Sequence, residues 1–120
     1  MGSSLLDMLG DYHVVWGKIT YASGVPALAS NDASATVADT GTGNCIVTFG
    51  EAFRTAPAVL CSGIKGTHSD TTHNNVICEA FTTTTVEFRW LEHVDASANT
   101  SPDPADDEAI HFLCIGPRNN

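Results

Sequence analysis

The chain has 120 residues, 42% of them apolar and only 16% charged, which suits one globular domain with a modest core and leaves no room for a second. Its 14 acidic residues against 5 basic ones give a net charge of −9, a balance that repels phosphate backbones and excludes nucleic acid as a partner. Thr, Ser, Ala, Gly and Val dominate while Lys and Arg are scarce, so short strands and turns are expected in place of long surface helices.

Taken in chain order, "MGSSLLDMLG" has neither a basic leading segment nor a long apolar stretch. It does not read as a secretion signal, and no later run reaches membrane-spanning length, so a soluble protein made inside the cell, with no membrane partner, is expected. Ser4 and Asp7 resemble a capping box with Asp for the usual Glu, and Leu5, Met8 and Leu9 follow at helical spacing. Residues 1–11 are therefore expected to form an N-terminal assembly arm, with Leu5, Leu6, Met8 and Leu9 as contact residues; the alternative is a frayed terminus, the ordinary fate of leading residues.

Residues 12–120 read as one β domain. "DYHVVWGKITYAS" (11–23) is rich in β-branched and aromatic residues and reads as one strand, broken by "SGVP". "SATVADTGTGNCIVTF" (34–49) reads as a hairpin in which Gly41 and Gly43 supply positive backbone dihedrals. In its second arm Cys45, Val47 and Phe49 alternate with Asn44, Ile46 and Thr48, so the cysteine falls on the Phe face, expected to be inward. "AVLCSGI" is apolar on both alternations, which predicts a central strand covered on both sides. "NNVICEAFTTTTVEFRWLEHV" (74–94) reads as another hairpin, with threonines at the join and Val86, Phe88 and Trp90 inward. "EAIHFLCIG" (108–116) closes the chain in a well-covered strand. About seven such strands predict an antiparallel β-sandwich of jelly-roll type.

The side chains that carry chemistry point away from catalysis. Cys45, Cys61, Cys78 and Cys114 each lie in an apolar segment with no C-x-x-C spacing, so four free core thiols are expected and no zinc knuckle. "GTG" at 41–43 is followed by a strand, where a phosphate loop needs a helix. Neither G-x-S-x-G nor H-E-x-x-H occurs, and no nucleophile and base pair is legible, so the chain is expected to be no enzyme and to carry no cofactor and no metal. His68, Asp70 and His73 share one polar loop with the composition of a metal site, but such loops are ordinarily only solvated. The acidic connection 93–109, with Asp95, Asp103, Asp106, Asp107 and Glu108, lacks the spacing of a calcium loop and reads as solvated. Trp16 and Trp90 have the chemistry of a sugar-stacking platform, yet both lie in alternating strands, where core or subunit-interface packing is the expectation.

The series "WGKITYASGVPAL", "VADTGTGNCIVTF", "FRTAPAVLC" and "HFLCIG" resembles the small β-sandwich domains of bacteriophage virion proteins, namely the C-terminal parts of tail fibres and free-standing capsid decoration proteins. The likeness spans nearly all of residues 12–117 and is one of structural grammar: a glycine-closed hairpin, a V-x-F strand, a short excursion, then x-P-x-V leading into a central strand. With eleven residues ahead of the first strand in place of a long stalk, it points to a free-standing component. The resemblance implies a non-enzymatic virion structural protein, a decoration or cement protein whose partners are the major capsid protein or other virion proteins; the alternative is a tail-fibre or receptor-binding module for host glycan. Two-faced apolar strands add the expectation of a homotrimer, since closed symmetry hides apolar surface and sheet edges.

Overall fold

The computed structural model describes residues 10–64, 72–94, 100 and 102–119, with side chains at all of these except 72–74, 93 and 94. Eight strands follow one another: β1 (Tyr12–Ala22), β2 (Val25–Ser30), β3 (Thr36–Gly41), β4 (Asn44–Thr48), β5 (Ala58–Ile64), β6 (Thr72–Phe81), β7 (Thr85–Val94) and β8 (Ala109–Pro117). They form two four-stranded antiparallel sheets, sheet A in the order β2-β1-β8-β5 and sheet B in the order β3-β4-β7-β6. The antiparallel sandwich expected from the sequence is there, but not with the strand order of a jelly roll. A jelly roll sends most successive strands to opposite sheets, whereas three hairpins here, β1–β2, β3–β4 and β6–β7, each keep both strands in one sheet.

The hairpins form where the chain supplies the right backbone. Between β1 and β2 the two-residue turn Ser23-Gly24 has φ of 51° and 81°, the positive pair that matches the twist of a tight hairpin. The turn after β3 uses Gly41 and Gly43, with φ of 146° and 77°, as the sequence predicts. The threonine-rich join between β6 and β7 holds itself together: the Thr82 hydroxyl accepts the Thr85 N–H (3.0 Å), and the Thr82 N–H donates to the Thr85 carbonyl (2.8 Å).

The inward faces of the two sheets make one core. Val15, Ile19, Ile110, Phe112 and Cys114 come from sheet A and Cys45, Val47, Val86, Phe88 and Trp90 from sheet B, all essentially buried. The Phe88 and Phe112 rings meet across the sandwich at 5.2 Å. Gly17 lets the Phe112 ring lie over its cross-strand partner, since a Cβ there would come within 2.4 Å of two ring carbons. The excursion 49–57 carries the chain from sheet B back to sheet A, and Phe49 and Phe53 plug it in an edge-to-face contact at 5.0 Å.

Two readings of single strands are corrected. β2 is a strand of its own, not a break; it is an edge strand, which is where Pro26, lacking an N–H, is tolerated. β5 is not central: it pairs with β8 alone and forms the other edge of sheet A. β8 is the inner strand, between β1 and β5, and is covered only on its inward side, with Ile115 exposed on the other.

Candidate functional site

The two outer faces of the sandwich differ in kind. On sheet B, Asn44, Glu87 and Arg89 face solvent, and Arg89 donates to the Asn44 side-chain oxygen (3.1 Å) and pairs with Glu79 (3.2 Å), the residue at the bulge of β6. That is the usual wet face of an antiparallel sheet. On sheet A the outward positions of the central rows are apolar. Trp16 of β1, Leu113 of β8 and Leu60 of β5 are consecutive cross-strand partners, and Val14, Ile115 and Ala58 form the adjacent row. Leu60 is 67% and Trp16 51% exposed, which is far beyond what a covered strand allows.

Charge follows the same division. None of the four strands of sheet A contains an Asp or Glu, in a chain that has 14 of them, and the charged or titratable side chains at outward positions of these strands are Tyr12, Lys18 and His111. Between β8 and β5 this face has a shallow hollow of about 240 Å³, lined by Leu60, Ser62, His111 and Leu113. The backbone beneath Trp16 is fixed: Asn31 accepts the Trp16 N–H (2.8 Å) and donates to the Val14 carbonyl (2.8 Å), continuing the ladder where β2 leaves off.

The tryptophans therefore part ways. Trp90 is 1% exposed and packs in the core, one of the two placements expected of it, and has no surface to offer a partner; Trp16 lies on the surface and is no core residue. Leu5, Leu6, Met8 and Leu9 fall outside the described residues, as do His68 and Asp70; of His73 only the backbone, paired with His93, is described. Gly10 and Asp11, the last two residues of the expected arm, are tied to the sandwich by Arg118, whose Nε donates to the Gly10 carbonyl and whose N–H donates to that of Asp11.

The described part of the acidic connection, 102–108, is a fastener, a correction to its reading as a solvated loop; Asp95 lies outside the described residues. Asp103 accepts the Gly43 N–H (2.8 Å) and Asp106 the Ser23 N–H (2.9 Å), so one loop holds the turns of two hairpins in different sheets. Glu108, nearly buried, accepts the Ala105 N–H (2.8 Å). A second, polar cleft of about 580 Å³ lies beside Tyr12, Asp32, Glu51 and Arg118. Its charges are already engaged: Asp32 accepts the N–H groups of Gly50 (2.8 Å) and Ser34 (3.0 Å), and Glu51 pairs with Arg118 (3.3 Å). His13, at the edge of that cleft, is buried against Phe53, and among the described residues its Nε2 has no hydrogen-bond partner.

All four cysteines are free, as expected, though only Cys45 and Cys114 are fully buried while Cys61 and Cys78 are half-buried. Burial, then the neighbouring Cys78 and Cys61, push the Cys114 thiol up to about 12. Burial likewise raises Cys45 and the Tyr21 phenol beside it. These groups are protonated at neutral pH, the opposite of an activated nucleophile. Among the described residues no group of three or more His, Cys, Asp and Glu side chains is placed to hold a metal ion. The surface with unspent binding capacity is the outer face of sheet A. No protein-family model, curated protein sequence or solved structure matches the chain.

Proposed function

We propose that this chain is a non-enzymatic structural component of a bacteriophage virion, a capsid decoration or cement protein that works by burying surface in an assembly. The observation that carries the reading is the outer face of sheet A, apolar and free of carboxylates in a strongly acidic molecule. Such a face is unfavourable to leave in water and suits permanent cover. The likeness of residues 12–117 to phage virion sandwiches supports the setting. The mechanism is mass action: a protein that binds only the assembled shell stabilises that shell by its binding free energy.

The test is the copy number of the chain in purified particles. A number near that of the major capsid subunit supports the decoration role, and absence from particles rejects it. The exposure of Trp16 favours a second reading, a tail-fibre or receptor-binding module that stacks sugar rings on the indole. A few copies per particle together with saturable glycan binding lost in Trp16→Ala would select it. Against it, the row neighbours of Trp16 are Leu113 and Leu60, which offer no hydrogen bonds to sugar hydroxyls.

A further inference from the structure

We propose that a second copy of this chain covers the outer face of sheet A, face to face, about a two-fold axis running along β8. The inference rests on the assembly reading only in treating this face as a docking surface: it gives the cover to a second copy, so that a shell is met by the remaining surface of the dimer. Three observations name the occupant.

The first is charge. Two copies that each carry −9 can approach closely only where their carboxylates are out of the way, and sheet A is the one of the two sheets whose strands contain none. The second is shape. Trp16 projects from β1, and the hollow beside Leu60 lies between β8 and β5, on the opposite side of β8 and in the same cross-strand row. A two-fold axis along β8 carries β1 of one copy over β5 of the other at an unchanged level along the strands. Trp16 of each copy then meets the hollow of its partner, and the exchange is reciprocal, as an isologous contact requires. Ser62 and His111 at the lip of the hollow supply acceptors for an indole N–H that would otherwise be buried unpaired. The same axis keeps the two sheets aligned, the ordinary geometry of sheet-on-sheet packing.

The third is area. Strands about 4.8 Å apart that rise about 3.3 Å per residue give β1, β8 and β5, the three strands this axis overlays, a face of roughly 430 Å², so a pair covers about 860 Å² in plan. A specific interface begins near that size, and side-chain relief adds to it. The contact is two-fold, in place of the three-fold one expected from the sequence, because a flat sheet face is covered best by another flat face.

Sedimentation equilibrium and light scattering at micromolar concentration test the proposal on the full chain, with a circular-dichroism melt of every variant as the check on folding. The wild type is expected at twice 12.6 kDa. Leu60→Glu and Trp16→Ala, both at exposed positions, are expected to melt cooperatively and to weaken dimerisation on the order of 30-fold or more. Thr36→Glu, on the outer face of sheet B, is expected to leave the dimer unchanged. A monomeric or trimeric wild type overturns the proposal, as does a Leu60→Glu variant that dimerises like the wild type. Particle occupancy is a separate measurement: a dimer absent from particles keeps this inference and removes the virion role, while a particle-bound monomer does the reverse.

Discussion

Cys114 shows how a buried side chain with no catalytic task still sets the conditions under which the fold survives. Its thiol ordinarily ionises at 9.0 and is held protonated in the core up to about 12. Between those values the native state keeps a proton that the unfolded chain gives up, so stability must fall as pH rises, by at most about 1.4 kcal/mol per pH unit for one group. Cys45 and Tyr21 are shifted in the same direction and add to the loss. Denaturant unfolding is therefore expected to give a level stability between pH 7 and the ordinary thiol range, then a decline beyond it. Cys114→Ala is expected to start lower at pH 7, by about 1 kcal/mol for the small cavity, and to decline less steeply in alkali. Parallel slopes for the two proteins would remove Cys114 from the explanation.

At the level of elements, Asp103 does what no single hairpin can do for itself. Its carboxylate accepts the Gly43 N–H of the β3–β4 turn, while Asp106 of the same loop takes Ser23 of the β1–β2 turn. Asp103→Ala is expected to lower unfolding stability by about 1–3 kcal/mol, the cost of stranding a half-buried N–H that had a charged acceptor. Asp107→Ala, at an exposed neighbour, is expected to leave stability unchanged, and equal effects of the two would count against the clamp. Such a contact is not legible in a sequence, because its partners are 60 residues apart. What was legible is local. The glycines at 41 and 43, and the period of two through Cys45, Val47 and Phe49 or through Val86, Phe88 and Trp90, identify the hairpins and their inward faces. β2 is not legible because "VPALAS" offers proline and alanine where β-branched residues mark a strand. The edge position of β5 is hidden for a different reason: apolar residues on both alternations look the same whether the strand is enclosed by its own fold or awaits a partner. The ambiguity that hides the edge position of β5 is the signature of the docking face.

At the scale of the whole molecule, electrostatics and apolar cover oppose each other. Two copies with −9 each repel over a range set by salt, about 10 Å at 0.1 M and 3 Å at 1 M. The face proposed to join them contains no ion pair for that salt to weaken. Dimerisation is accordingly expected to tighten as sodium chloride is raised from low to near-molar concentration, read as a falling dissociation constant in sedimentation equilibrium. A dimer that loosens with salt would point to a contact made by charged residues elsewhere on the sandwich.

The placement of the two tryptophans makes the molecule its own pair of optical reporters. Trp90 is enclosed between the sheets and Trp16 stands half in water on the outer face of sheet A. Emission from Trp90 changes only when the sandwich opens, whereas emission from Trp16 changes when its face is covered. Single-tryptophan versions, Trp16→Phe and Trp90→Phe, thus separate the spectroscopy of folding from the spectroscopy of association in one small chain.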